Sequence, residues 1–361
     1  MKICVYAICK DEQAFAERWI RSMSEADGVY VLDTGSRDET AATLRALGAQ
    51  VTVERIDPWR FDTARNRSLQ LVPEDADVCV CTDLDEVFHP GWRAAVEKAW
   101  CQGAQQLRYR YTWSFQPDGS EGYVFYIDKI HARHGFAWVN PVHEVLQYTQ
   151  PGSPVLREAA GVQLDHHPDA GKSRGQYLPL LELAVREDPQ NDRNMHYLGR
   201  EYMFHGMWRE CIQTLERHLA MPSATWPDER CASMRFIARS CAELGNAQTA
   251  LRWYLRAVAE APHLREPYLD CAALLERLGE WEGALWLCRR ALTLADRPHS
   301  YICEGDAWSW LPHDLAALAL YYLGRAQEAL SEGEAAAKLA PWDARLRENL
   351  RWYRKAAEAE D

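Results

Sequence analysis

The chain has 361 residues, 47% of them hydrophobic and 26% charged, a balance that excludes a disordered or fibrous protein and allows two or three globular domains. Its formal net charge of −12 argues against a nucleic-acid partner, since phosphate backbones bind to basic surfaces, although a local arginine groove would still permit one. No apolar run approaches the roughly 20 residues of a membrane-spanning helix, so no span is predicted.

The first 100 residues alternate between strand-like and helix-like segments. Strands are predicted at 3–8, 28–32, 51–55 and 77–82, and helices at 12–24, from Ser36 onward and at 61–71. Ser36 is predicted to cap the second helix, with Glu39 completing a capping box. Strand–helix–strand units in series predict a mainly parallel sheet with helices on both faces.

The start of the chain and its cysteines indicate the compartment. The segment MKICVYAIC is predicted to be a buried strand rather than a signal peptide, because its apolar run is short and leads directly into charged residues. The 11 cysteines include no Cys-x-x-Cys pair and are expected to be mainly buried small hydrophobic residues. We therefore expect a cytoplasmic protein.

Residues 105–165 have a different pattern. Aromatic side chains alternate with polar ones, and turn signals at Pro117-Asp118-Gly119 and Pro151-Gly152 separate the runs. This pattern is typical of antiparallel strands.

From about residue 175 onward the chain is predicted to be helical and repetitive. Four glycines follow apolar helices at spacings of 39, 34 and 45 residues, and a small residue comes five positions after each. The glycines are Gly206, Gly245, Gly279 and Gly324, and the small residues are Cys211, Ala250, Ala284 and Ala329. A glycine that permits a turn and a small residue that permits close helix contact are typical of tetratricopeptide-like hairpins. Their stacked surface predicts a site for a protein partner or a homodimer contact.

Four polar segments lie where this sheet would bind a ligand. They are Lys10-Asp11-Glu12, Asp33-Thr34-Gly35-Ser36-Arg37-Asp38-Glu39-Thr40, Phe61-Asp62-Thr63-Ala64-Arg65-Asn66 and Thr82-Asp83-Leu84-Asp85-Glu86. Three of them follow predicted strands, and ligands of open parallel sheets bind outside the carboxyl ends of the strands. The carboxylates of Asp83, Asp85 and Glu86 would repel one another there unless a cation neutralised them, and hard oxygen ligands favour Mg²⁺ or Mn²⁺.

The order of these four motifs resembles family-2 glycosyltransferases of the GT-A fold. The first 90 residues carry the resemblance, and its combination with helical repeats is similar to the subgroup that contains the peptide S-glycosyltransferases of glycocin biosynthesis and related bacterial and phage proteins. The resemblance implies a Rossmann-like, mainly parallel α/β GT-A domain at 1–172 that binds a nucleotide sugar. An all-α tetratricopeptide-like repeat domain would follow at 173–361.

The resemblance also implies roles for single residues. Glu12 would reach the ribose, and Asp33 would contact the base. Asp83 would lie near the ribose and diphosphate, while Asp85 would be the main ligand of the metal. The other nucleotide-binding positions would be Lys10, Arg65 and Asn66. Lys10 departs from the family pattern, since many members have Asn or a similar small polar residue there.

The remaining candidates come from the second half of this domain. Glu144 is the predicted catalytic base, acting with the metal at Asp85, although a structural His-Glu pair is the alternative. His166 is the preferred third metal ligand beside Asp85 and Asp83, with His143 and His167 left open. Lys172 and Arg174 would neutralise the leaving diphosphate, unless they form only a solvated basic turn.

The leading hypothesis is a metal-dependent enzyme, a glycosyltransferase that moves a hexose or N-acetylhexosamine from a UDP-sugar to a peptide, protein or glycan, with inversion. One alternative is the same chemistry on modified bases of phage-type DNA. The other is a non-enzymatic repeat-protein adaptor whose transferase domain has decayed. The acidic cluster argues against decay, because unneutralised carboxylates at one strand end would cost stability.

Overall fold

The computed structural model describes residues 1–101, 103–169, 171 and 175–359. The chain divides into two compact units. The first unit consists of Met1–Phe115 and Val124–Ala184, and the second consists of Gln116–Tyr123 and Val185–Asp361.

In the described part of the chain, the first unit combines ten strands with four helices and most of a fifth, whose last residues belong to the second unit. The strands are β1 Ile3–Cys9, β2 Gly28–Asp33, β3 Gln50–Val53, β4 Val78–Cys81, β5 Glu86–Phe88, β6 Gln106–Thr112, β7 Val124–Ala132, β8 Phe136–Val139, β9 Val145–Tyr148 and β10 Leu156–His166. The helices are α1 Gln13–Ser22, α2 Thr40–Ala46, α3 Phe61–Gln70 and α4 Trp92–Trp100.

Eight of these strands form one mixed sheet in the order β3-β2-β1-β4-β7-β6-β10-β5. The strands β1, β2, β3 and β4 pair in parallel, but β7 runs antiparallel to both β4 and β6, and β5 runs antiparallel to β10. The predicted fold class, a mainly parallel GT-A sheet, is therefore wrong. The aromatic strands join the same sheet in both directions, since β7 runs antiparallel to β4 and β6 while β10 runs parallel to β6.

The centre of this sheet is buried on both faces. Every residue of β1 and of β4 is buried, as continuous apolar runs predict. The indole rings of Trp19 on α1 and Trp92 on α4 are fully buried against it. The rigid centre fixes the carboxyl ends of β1, β2 and β4 side by side, and the polar motifs begin there.

The second helix begins at Thr40 rather than near Ser36, so the predicted capping box is wrong. The side chain of Asp33 accepts a hydrogen bond from the backbone N–H of Ser36 at 2.7 Å, and that of Asp38 accepts one from the N–H of Thr40 at 3.0 Å. These bonds hold residues 33–39 in a loop. Glu39 occupies the N-cap position without any side-chain hydrogen bond to the helix.

The second unit is an array of helical hairpins. After α5 Tyr177–Glu187, its helices are α6 Asp192–Phe204, α7 Trp208–Ala220, α8 Pro227–Glu243, α9 Ala247–Glu260, α10 Glu266–Arg277, α11 Trp281–Leu292, α12 Leu311–Tyr322, α13 Ala326–Leu339 and α14 Ala344–Ala357. The four repeat glycines turn the chain within four hairpins with φ between +69° and +79°, a region that strongly favours glycine. The four small residues after them are fully buried. The predicted tetratricopeptide-like hairpins are confirmed at this level.

The prediction for the cysteines is also borne out. All 11 cysteines are free thiols, and only Cys101 is exposed, so most are buried small hydrophobic residues as expected. Among the described residues, every helix is too short or too polar to cross a membrane.

Candidate functional site

The first two polar motifs meet at the carboxyl ends of β1 and β2. The backbone N–H of Asp11 donates to Ser36 Oγ at 2.9 Å, and the Asp11 carboxylate accepts from the N–H of Arg37 at 2.6 Å. The N–H of Glu12 donates to Thr40 Oγ1 at 2.8 Å, and Glu12 is buried. The two motifs therefore support one loop surface.

Asp33 has one carboxylate oxygen that the fold does not use. Its side chain is buried, and Oδ1 accepts from the backbone N–H groups of Gly35 and Ser36, but the buried Oδ2 has no hydrogen-bond partner in the described structure. The neighbouring Cys9 thiol is a weak donor beside this carboxylate, and burial together with the charge and hydrogen bonding of Asp33 raises the pKa of that thiol. A buried acceptor without a partner is costly, so Oδ2 is the atom of this loop most in need of a ligand N–H.

Arg65 on α3 joins the third motif to the fourth. It is almost fully buried, and it donates to Asp83 Oδ1 at 2.6 Å and to Glu144 Oε1 at 2.9 Å. Burial lowers the pKa of Arg65, but the charges of Asp83 and Glu144 outweigh it and raise that pKa well above its ordinary value. The predicted catalytic base, Glu144, is thus one half of a partly buried ion pair.

A second cation, which the sequence analysis missed, lies on the other side of the acidic cluster. Lys129 Nζ is 3.4 Å from Asp83 Oδ2 and 3.5 Å from Glu86 Oε1, and the Tyr111 hydroxyl donates to the same Glu86 oxygen at 2.7 Å. Burial lowers the pKa of Lys129, and Glu86 and Asp83 raise it above its usual value. The signal in the sequence was a lysine in the otherwise largely apolar strand β7. Asp83 and Glu86 are therefore neutralised within the chain.

Asp85 has a different partner, His166 at the end of β10. Asp85 Oδ2 lies 3.5 Å from His166 Nε2, and His166 Nδ1 lies 2.9 Å from the carbonyl oxygen of Trp113. A carbonyl only accepts, so Nδ1 carries a hydrogen and Nε2 is the atom directed at the carboxylate. Burial lowers the pKa of His166, but the hydrogen bond and charge of Asp85 raise it overall.

Asp85 and His166 are the two predicted metal ligands that the structure brings together. Orientation of a histidine through its other ring nitrogen is typical of metal ligands. Asp83, the third expected ligand, is held by Arg65 instead. Of the alternative histidines, His167 stacks on Phe115 and His143 contacts the ring of Tyr177.

The remaining predicted site residues are dispersed. Asn66 makes two hydrogen bonds to the backbone of Trp138, which fix β8 against α3. Lys10 is exposed beside the loop surface. Lys172 and Arg174 lie outside the described residues. An open cavity of about 420 Å³ next to His166 is lined by Phe15, Arg18, Ser114, Phe115, His166, His167 and Pro168.

The second unit has a cavity of its own, of about 290 Å³, between α8 and α10. Its floor contains the buried Arg235, which donates to Asp270 at 2.7 Å and to Glu304 at 2.6 Å. At its rim, Arg277 pairs with Glu243 across 3.3 Å. The lining residues are Arg235, Phe236, Arg239, Ala242, Glu243, Tyr254, Asp270, Ala273, Leu274, Arg277 and Glu304.

The chain is similar to several solved structures of tetratricopeptide-repeat proteins. It is 15% identical to the MamA protein over 46% of this chain and 83% of that chain, with a TM-score of 0.37. It is 22% identical to TTC0263, a thermophilic protein of Thermus thermophilus, over 51% of this chain and 91% of that chain, with a TM-score of 0.36. For yeast Tom70 the identity is 16% over 53% of this chain and 37% of that chain, with a TM-score of 0.41. No family model matches the chain.

These findings correct the resemblance to family-2 glycosyltransferases. The similar structures named above are repeat proteins, none of them a glycosyltransferase, and no family model supports a GT-A domain. The physical reason is that these motifs have structural roles. Asp33 and Asp38 tie the loop before α2, and Arg65 neutralises Asp83, so short polar motifs at strand ends are needed by the fold itself.

Proposed function

We propose that this chain is a partner-binding helical-repeat protein, and that its second unit binds an acidic peptide segment in the cavity between α8 and α10. The observation that carries the proposal is Arg239. This side chain lines the cavity and is exposed, and it makes no hydrogen bond or ion pair with any residue that the structure describes.

The other charges of the cavity are already matched. Arg235 is paired with Asp270 and Glu304, and Arg277 is paired with Glu243. Arg239 acts on Asp270 of the same cavity only through its charge, and its guanidinium can therefore bind a further carboxylate with two parallel hydrogen bonds. Phe236, Tyr254 and Leu274 add apolar walls beside it. Charge and shape together favour a peptide that places an acidic side chain next to apolar ones.

The strand-end network of the first unit is consistent with this proposal. A metal-dependent enzyme was predicted because acids clustered at a strand end normally need a cation to neutralise them. Arg65 and Lys129 neutralise Asp83 and Glu86 internally, so these residues would persist as structural ion pairs without any catalytic role.

The test is a fluorescence-anisotropy titration of the full chain against a labelled hexaglutamate peptide, with hexalysine as the opposite-charge probe. We expect binding of hexaglutamate only, weakened about 5-fold by Arg239→Ala, which corresponds to roughly 1 kcal/mol for one solvent-accessible charge contact. Arg351→Ala is the matched control, because Arg351 carries the same charge on α14 and is 77% exposed. Equal weakening by both variants, or no binding, would contradict the proposal.

A second candidate function is metal-dependent transfer of a hexose or N-acetylhexosamine from a UDP-sugar to a peptide, protein or glycan. One observation favours it, the unpartnered Asp33 Oδ2, which would accept the imide N–H of a uracil base. Asp85 and His166 would hold Mn²⁺ or Mg²⁺. When bound, the cation would supply positive charge to a departing diphosphate. Arg65 would keep Glu144 oriented, and the glutamate could serve as a base only after that ion pair loosened.

Thermal unfolding with UDP and Mn²⁺ separates the two candidates. Nucleotide binding to the folded chain would raise the melting temperature, and Asp33→Asn would remove that shift. Asp75→Asn is the control, since Asp75 is an exposed carboxylate paired with Lys2 at the amino end of β1. A shift that needs Mn²⁺ and Asp33 would support the enzyme, and no shift in any variant would leave the repeat unit as the functional part. A cytoplasmic location and a homodimer stay predictions.

A further inference from the structure

Three buried side chains of the second unit point at one another from consecutive helices. His196 lies on α6, His218 on α7 and Glu229 on α8. Each offers one nitrogen or oxygen atom, and these atoms lie within 4.8 Å of one another. Both histidines are completely buried, and Glu229 is nearly so.

The two imidazoles each leave one ring nitrogen without a hydrogen bond. His196 Nε2 and His218 Nε2 are buried, and neither has a hydrogen-bond partner among the described residues. His218 Nε2 lies 3.4 Å from Glu229 Oε1, close enough for an ion pair but without hydrogen-bond alignment. Buried polar atoms are normally paired, so two such nitrogens beside one carboxylate need an explanation.

The other two ring nitrogens are held by a single hydroxyl. Ser233 Oγ lies 2.8 Å from His196 Nδ1 and 3.0 Å from His218 Nδ1. A serine oxygen has two acceptor lone pairs, so it can accept an N–H from both rings at once. In that arrangement both Nε2 atoms present lone pairs toward Glu229. Histidines that bind metals are commonly oriented in this way, by a hydrogen bond from their other ring nitrogen.

The chemistry of the three side chains also suits a cation, since imidazole nitrogens and a carboxylate oxygen are ligands that zinc binds. Arg193 and Arg200 oppose a cation, since their charges act on His196, although both guanidinium groups lie over the ring of Tyr197.

We propose that His196, His218 and Glu229 form a Zn²⁺ site that links the first two helical hairpins. Two neutral imidazoles and one carboxylate are a ligand set that zinc favours, at bond lengths of about 2.0–2.2 Å. Such bonds place neighbouring ligand atoms about 3.5 Å apart, so the three side chains would draw together by roughly an ångström. The Tyr301 hydroxyl donates to the second oxygen of Glu229 and orients that ligand. A water would complete the four-coordinate shell.

The site would stabilise the array by joining three consecutive helices through one ion. Zinc bound by α6, α7 and α8 would oppose separation of the first hairpin from the second. A ligand that binds only the folded state raises stability with its free concentration. Stability of the second unit should therefore rise with zinc and fall with a chelator.

The test uses the full chain in an Asp85→Asn background, which removes the strand-end carboxylate that could bind a second cation. The protein is dialysed against EDTA, exposed to Zn²⁺, separated from free metal by gel filtration and analysed for zinc by mass spectrometry. We expect about one zinc per chain. Glu229→Gln keeps an acceptor for Tyr301 but loses the anionic ligand, and it should weaken zinc binding at least 10-fold.

His218→Gln should lower zinc content in the same way, and His205→Gln is the matched control. His205 lies directly after α6 and pairs with Glu201 at 3.5 Å, outside the cluster. The proposal would be overturned if both cluster variants kept their zinc, or if the chain with an intact cluster bound none. The cluster would then be a hydrogen-bonded polar core.

If the cluster variants unfold, as circular dichroism would reveal, cobalt decides the question in the chain with an intact cluster. Tetrahedral Co²⁺ bound to nitrogen and oxygen ligands absorbs visible light far more strongly than the six-coordinate aqueous ion. Growth of that absorption to saturation at one equivalent supports the site, and a spectrum that stays that of the aqueous ion refutes it.

Discussion

Replacement of Arg65 by methionine tests the internal neutralisation of the strand-end acids. The substitution keeps a long apolar stem but leaves Asp83 and Glu144 without their shared cation, 2.6 Å and 2.9 Å away in the native protein. Removal of one partner from a buried ion pair costs about 3–5 kcal/mol. Because Lys129 still faces Asp83, whose side chain is 31% exposed, we expect the lower end of this range, about 3 kcal/mol, a shift of more than a hundred-fold in the unfolding equilibrium.

The assay is urea denaturation followed by tryptophan fluorescence, with hydrogen exchange of the β4 amides as a local readout. Addition of Asp83→Asn and Glu144→Gln to the Arg65→Met chain should recover more than half of the lost stability, since the uncompensated charges are then gone. Arg108→Met is the control, because Arg108 is half exposed and pairs with Asp128 at the surface, where such pairs are worth less than about 1 kcal/mol. A loss below that value for Arg65→Met, or no recovery in the triple variant, would refute the reasoning.

Three further predictions concern packing and pH. Gly199→Ala would place a methyl group 2.3 Å from Leu215 Cδ2, so we expect a loss of about 2 kcal/mol in thermal unfolding in spite of the better helix propensity of alanine. Burial lowers the pKa of His131 to about 4, while its Nε2 accepts from the Tyr6 hydroxyl at 2.7 Å. The unfolded chain therefore binds a proton that the folded chain does not between pH 6.5 and 4, and urea titrations should show about 3 kcal/mol lost as the pH falls through this range. Glu276 gives the opposite pH dependence of stability. Burial raises its pKa to about 8, so the folded state loses stability as the pH rises toward that value. Glu276→Gln should therefore raise the melting temperature more at pH 9 than at pH 5.

Each of these predictions has its own control. Leu215→Ala in the Gly199→Ala chain should relieve the clash, and a double variant no better than the sum of the single ones would argue against it. His131→Gln retains an acceptor for Tyr6 and should flatten the pH dependence of the first unit. An unchanged slope would assign that dependence to other groups. A pH-independent effect of Glu276→Gln would contradict the raised pKa.

The sequence alone determined the buried strands and the helical hairpins of this protein. The apolar runs of β1 and β4 are continuous because both faces of those strands are buried, and that pattern is visible without any coordinates. The hairpins of the second unit were equally readable. Gly206 and its three counterparts adopt positive φ, and the small residues after them are buried where two helices meet. Such features depend on neighbours close in sequence, so periodicity and spacing record them.

Only the tertiary structure decided the order of the strands in the sheet and the pairing of the charged side chains. The strand order places β7 between β4 and β6, and alternation within a strand carries no information about which strand lies next to it. Lys129 reaches Asp83 only because of that order, from 46 positions away. The pairing of Arg65 with Glu144 across 79 positions likewise depends on tertiary structure.

The histidine cluster of the second unit also depends on tertiary structure. His196, His218 and Glu229 stand on three helices, and their spacing of 22 and 11 residues matches no short metal motif. Stacking of the hairpins brings them within 4.8 Å and removes them from water. The local sequence pattern determines the secondary structure, since it reflects the conformational preferences of adjacent residues. Which charged groups finally share a buried site depends on long-range packing, because desolvation and ion pairing act only between groups that the whole fold has brought together.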